Sequence, residues 1–297
     1  CSSWQTRWRS SNCYCRLGLY YSDDGECTVR GADVWQWGYP VYCVAVAAAL
    51  LCLFVWCLRR LVFLCAAGGR RLQQGVHGVC LFAVLLRAEF LISEVILVHR
   101  ASVDNPRPSG IWHKLAGLSY SSFFPLSAVM FLSVCRIWLQ LLALLEEPVE
   151  RPSFRRRFWA ACLLMLGIEA VHDLAYLREP RPVAEAVYFC WLSLVSVCLA
   201  LLGTTVAQRL YRRMRPWIAD EGFKLFRRTS FSALAVSAIA LCFLLLSIVQ
   251  ALYGRYYAWP GLCCWALGHS LEVLYLVIIV KASGRVHLPS PDGSPQV

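Results

Sequence analysis

The sequence predicts an all-α integral membrane protein, a bundle of seven transmembrane helices with its N-terminus exterior or lumenal and its C-terminus cytosolic. Three observations predict it. The chain has 297 residues and is 59% hydrophobic, against roughly 45–50% for a soluble domain. The excess is gathered in apolar runs of twenty residues or more, the length needed to cross a hydrocarbon core of roughly 30 Å. Lys and Arg are rich and poor in alternate connections, and the rich side is cytosolic.

The seven apolar segments are Tyr39–Ala66, Gln74–Val98, Ile111–Leu145, Phe158–Leu177, Val183–Gln208, Phe231–Tyr253 and Ala258–Lys281. They must be helical, because lipid satisfies no unpaired backbone group. The third exceeds a span, so it is expected to tilt or to project past the membrane. The domain reading is therefore an exterior segment over 1–38, a helical domain over 39–281 and a short cytosolic tail over 282–297. The first residue is Cys1 rather than Met, so an incomplete start is expected and a signal peptide is not judged.

The first connection holds Arg59, Arg60, Arg70 and Arg71, and the third Arg151, Arg155, Arg156 and Arg157. The fifth holds Arg209, Arg212, Arg213, Arg215, Lys224, Arg227 and Arg228. The even connections carry Arg100 and Arg107, then Arg178 and Arg181, then Arg255. This alternation fixes an odd number of spans. A net charge of +11 could suggest nucleic acid, but the charges lie between apolar runs rather than on a soluble face. The partners expected are a bilayer with an anionic cytosolic leaflet and a cytosolic protein of unknown identity, and no nucleic acid. Oligomeric state is not specified by the sequence.

Cysteines fall into two groups. Cys1, Cys13, Cys15 and Cys27 lie in the N-terminal segment beside Trp4, Trp8, Trp35 and Trp37. In an oxidising lumen Cys13, Cys15 and Cys27 are candidates for at least one disulfide. Zinc is the weaker alternative, since the segment has no His and Cys-x-Cys is not the usual metal spacing. Most of the other cysteines lie in apolar helices, where free Cys behaves as a small hydrophobe.

Ionisable groups inside spans are costly and mark candidate sites. The second span carries Arg87, Glu89 and Glu94, with Arg87 and Glu94 on one face and Glu89 turned away. Glu169, His172 and Asp173 stand at the end of the fourth span, and His269 and Glu272 in the seventh, three apart on one face. Two readings stand: the groups pair across the bundle and fix its packing, or they build a proton or metal site. Arg87 lies mid-span between Val84-Leu-Leu86 and Phe90-Leu-Ile92, where an unpaired guanidinium costs at least roughly 2.5–3.5 kcal/mol. It is expected to face the interior and bond a partner on another helix, with Glu272 and Asp173 the better acceptors.

Zinc-dependent membrane hydrolases generally show a His-x-x-x-His pair, and this chain has none; that reading ranks last, and no catalytic residue, metal or cofactor is expected. Rhodopsin-like receptor signatures are missing as well: no acidic residue precedes Arg136, and Asn-Pro-x-x-Tyr is absent from the last span. Arg136 is read as a cation snorkelling to the interface.

Short motifs carry a family resemblance. The second span has His77, then Arg87-Ala88 and Phe90; the third has Leu115-Ala-Gly117 and Ser122-Phe-Phe-Pro-Leu126. Arg209-Leu-Tyr-Arg-Arg213 leads through Phe226-Arg-Arg228 to the sixth span, and the last span has Leu271-Glu272-Val273. In order and spacing the chain resembles the tobamovirus multiplication protein family of plants and, more distantly, the orphan-receptor-like seven-span lysosomal proteins of animals. The likeness runs from about Val34 to Lys281. It departs at Ser247-Ile-Val-Gln250, which lacks the family's basic residue, and at Leu274, where a Pro usually follows the Glu. The resemblance implies a non-enzymatic multi-span protein of endomembranes, vacuole-like or lysosome-like, that recruits cytosolic partners; the plant members serve as hosts for viral replication proteins. The leading expectation is a receptor-like scaffold presenting basic loops. The alternative is a transporter or channel using Arg87, Glu94, His172, Asp173 and Glu272.

Overall fold

The computed structural model describes residues 5–7, 13–15, 19–20, 29–36, 38–68, 71–100, 110–146, 152–178, 182–214 and 258–283, together with part of 231–249. Six helices are long and apolar enough to cross a membrane, and the chain is a multi-pass, all-α membrane protein. The described positions within 231–249 are all helical.

The N-terminal segment opens with β1 (Gln5–Arg7) paired antiparallel to β2 (Cys13–Cys15), with Thr6 opposite Tyr14. A second ribbon pairs β3 (Leu19–Tyr20) with β4 (Val29–Arg30), and α1 (Gly31–Trp35) follows. Trp35 and Tyr39 bury their rings with Cys43 and pack against Val95 and Leu262. The end of this segment thus seats on the helical bundle. Cys1 and Cys27 lie outside the described residues, and of Cys13 and Cys15 only the strand backbone is described.

The long helices are α2 (Gly38–Ala66), α3 (Arg71–Arg100), α4 (Gly110–Glu146), α5 (Pro152–Arg178), α6 (Pro182–Met214) and α7 (Ala258–Ala282). Both α5 and α6 begin on proline, whose fixed φ suits a first helical position and whose missing N–H would have no partner there. The turn after α2 closes with Ala67 N–H donating to the Phe63 carbonyl at 2.9 Å. Gly68 follows at φ +64, a left-handed conformation that glycine takes without a Cβ clash.

Helix α4 is the most enclosed span and packs against α3, α5, α6 and α7. Around it the core joins Cys57, Cys80, Ala83, Met130, Val134, Trp138, Leu276 and Ile279. Outward positions are also apolar: Val44 and Leu51 on α2, Leu163 and Val171 on α5, and Leu201 on α6 are well exposed. A soluble bundle would place polar groups there; a lipid-facing surface does not. Arg59, Arg60, Arg71, Arg155, Arg156, Arg157, Arg209 and Arg212 are exposed at the helix ends of one side.

Arg136 stands four residues before the end of the apolar span Lys114–Gln140. It is 8% exposed, and its guanidinium lies over the Phe158 ring of α5 at 4.8 Å.

Candidate functional site

Two polar clusters lie within the bundle, one about the middle of α3 and α7 and the other toward the end of α5. The first is built on Arg87. Its Nη2 donates to Glu272 Oε1 of α7 at 2.5 Å, and the two side chains are 1% and 6% exposed. Of the two acceptors anticipated, Glu272 is the partner. Asp173 is engaged elsewhere.

Aromatic rings wall the guanidinium. Its Cζ lies 4.1 Å from the Phe123 ring centroid, 5.0 Å from Tyr120, 5.4 Å from Phe90 and 5.6 Å from Phe124. Tyr120, Phe123 and Phe124 fall at i, i+3 and i+4 of α4, one face of that helix, and Phe90 is one turn beyond Arg87. Each ring face attracts the cation, and in a desolvated setting such contacts are worth about 2 kcal/mol. They offset part of the desolvation that a single carboxylate leaves, and Nε and Nη1 have no hydrogen-bond partner among the described residues.

His269, one turn before Glu272, extends the cluster to α2. The Tyr42 hydroxyl bonds His269 Nδ1 and also donates to the Trp265 carbonyl at 3.2 Å. The two rings stack at 5.9 Å with 9° between planes, and Phe90 meets His269 edge-on. Arg87, Glu272, His269 and Tyr42 therefore tie α3, α7 and α2 together beneath α4's aromatic face. Glu89 faces the other way, as its place on the helix predicts. It accepts from Ser93 at 2.6 Å and from Ser119 of α4. The Glu94 side chain lies outside the described residues.

The second cluster joins α4, α5 and α6. Glu169, His172 and Asp173 project from one turn of α5, and one ligand atom from each lies within 4.8 Å of the others. Ser121 donates to Asp173 Oδ1 at 2.8 Å and Ser122 to Oδ2 at 3.3 Å. The Tyr188 hydroxyl of α6 donates to Glu169 Oε2, and its ring stacks on His172 with centroids 3.7 Å apart. It also reaches the Ser121 carbonyl at 3.3 Å. That carbonyl is four residues before Pro125, which has no N–H to offer it.

His77 is fully buried, with Nδ1 2.9 Å from the Gln73 carbonyl one turn back. The Cys57 thiol donates to the His77 carbonyl at 3.4 Å, joining α2 to α3. Gly117 is part-buried on α4. In the basic loop, Arg209 and Arg212 are exposed on α6, the Arg213 side chain is not described, and Arg215, Arg227 and Arg228 lie outside the described residues. Tyr42, Tyr188, Ser119, Ser121 and the α4 rings are the site residues that a search for ionisable groups passes over. For Tyr188 alone there was a signal, Pro125, since a proline inside a helix leaves the carbonyl four residues back without its main-chain donor.

Chemically, the first cluster is a charge tie closed by rings. The second brings two carboxylates and an imidazole together, the donor set of a metal ligand group. His269 and Glu272 belong to the first cluster and His172 and Asp173 to the second. Compared with known protein families and with curated proteins, the chain matches none.

Proposed function

We propose that the chain is a seven-span, receptor-like membrane scaffold that holds its polar groups as interhelical ties and presents basic loops to a cytosolic protein. One observation carries this reading: Arg87 is bonded to Glu272 and walled by four rings. A residue lining a transport path must meet water or substrate, whereas one fastening two helices is paired and dry. The helical positions within 231–249 supply the remaining span of this topology. The exposed arginines then lie in the cytosol beside anionic headgroups. An endomembrane location follows from the family resemblance alone.

The transporter reading has one observation in its favour, the unbonded Arg87 Nε and Nη1. Reconstitution separates the two. In liposomes carrying pH-sensitive and ion-sensitive dyes, the scaffold reading expects no protein-dependent flux of protons or alkali cations. In cells, replacing Arg155, Arg156 and Arg157 by Gln should remove cytosolic neighbours from proximity labelling while leaving the protein folded and in its membrane. Flux that Arg87→Gln abolishes would make the transporter reading the right one.

A further inference from the structure

We propose that Glu169, His172 and Asp173 form a binding site for one divalent transition-metal ion of the zinc class, in the half of the bundle opposite the exposed arginines. The three residues stand at i, i+3 and i+4 of α5, so one helical turn presents all three donors to a common point. His172 Nδ1 and Asp173 Oδ1 lie 3.5 Å apart. Two ligands held about 2.0–2.2 Å from a tetrahedral zinc are themselves about 3.4 Å apart. The ligand atoms of all three residues fall within 4.8 Å of one another, so Glu169 has to draw in by a small side-chain rotation to share one ion with the closer pair.

Glu169 makes the independent case. It is 6% exposed, and its Oε1 is buried with no hydrogen-bond partner among the described residues. A carboxylate oxygen left so deep inside a span is costly, and a cation supplies what that oxygen lacks. The surroundings are those of a metal centre whose ligands are aimed by an outer layer. Tyr188 holds the other Glu169 oxygen, Ser121 and Ser122 hold both Asp173 oxygens, and the Tyr188 ring sets the plane of His172.

Donor chemistry selects the ion. Two carboxylates and one imidazole suit zinc and its neighbours, whereas magnesium and calcium take oxygen alone. A dication also cancels the two carboxylate charges, so the loaded site is neutral in a low-dielectric setting. Asp173 is five residues from the end of α5, about 8 Å along the axis, so the ion enters from the nearby face. Because the outer groups come from α4 and α6, binding fastens three helices.

The test uses the full chain in detergent, stripped with a chelator and then equilibrated with Zn2+ or Co2+. The expected result is one ion per chain by elemental analysis, with a melting temperature that rises with free Zn2+. Glu169→Gln, which keeps the Tyr188 contact, and His172→Ala should each weaken binding by about tenfold or more. Changing Cys13, Cys15 and Cys27 to Ser should leave binding as it is. The wild-type cobalt spectrum decides the ligand type even if a variant fails to fold. Weak visible bands without thiolate charge transfer support nitrogen and oxygen donors. A strong near-ultraviolet thiolate band, an ion retained equally by both site variants, or a folded wild-type chain that takes up no metal would each overturn the proposal.

Discussion

The Tyr188 hydroxyl of α6 reaches the Ser121 carbonyl of α4 at 3.3 Å, and that carbonyl is open because Pro125 stands four residues on. A helix defect in α4 is thus filled by a side chain from the neighbouring helix. The same hydroxyl holds Glu169, so one residue serves both the backbone and the acidic cluster.

Tyr188→Phe should therefore destabilise the protein by about 1–3 kcal/mol, the cost of leaving buried acceptors without a donor. In a Pro125→Ala background the Ser121 carbonyl regains a main-chain N–H, and the penalty should shrink. Unfolding in detergent micelles measures both. Equal penalties in the two backgrounds would mean that Tyr188 does not serve the carbonyl.

Phe123 is the ring nearest the Arg87 guanidinium. Phe123→Leu should lose about 0.5–2 kcal/mol beyond its apolar packing. When Arg87→Met and Glu272→Gln are already in place, that excess should vanish, leaving only the packing loss. The difference between the two unfolding free energies reads the cation–ring contact directly.

Orientation gives a third expected outcome. A glycosylation acceptor placed within 16–28 should be modified in a microsomal assay, and one placed within 215–230 should not. Modification of the second site would reverse the topology and put the exposed arginines on the lumenal side.

The membrane class, the six long helices and the excess length of α4 were legible because hydrophobic runs and backbone satisfaction in lipid leave no other fold. Arg87 was legible for the same reason: a mid-span guanidinium must be paired, and few acids lie within spans. Helical spacing showed that Glu89 points away from Arg87 and that Glu169 and His172 share a face. Which helices meet was not legible, because the apolar outer surface looks like the apolar core in lipid and periodicity loses its meaning. Ser119, Ser121, Tyr188 and Tyr42 therefore stayed hidden as partners: neutral hydroxyls are ordinary in a span until a neighbouring helix places a carboxylate or imidazole beside them. Tyr120, Phe123 and Phe124 share one face of α4, but nothing in the sequence marks the cation they cover. The Phe158 ring over Arg136 was hidden for the same reason, since it comes from the next helix.

The central claim is that Arg87 and Glu272 form one buried tie between α3 and α7. A double-mutant cycle with Arg87→Gln and Glu272→Gln, read by unfolding in detergent micelles, tests it most directly. Each single change strands the other's charge in a dry site, so each should cost about 3–5 kcal/mol. The double variant removes both charges and should be milder than the sum by about 0.5–3 kcal/mol. Strictly additive losses would contradict the account, because two residues whose effects simply add do not meet.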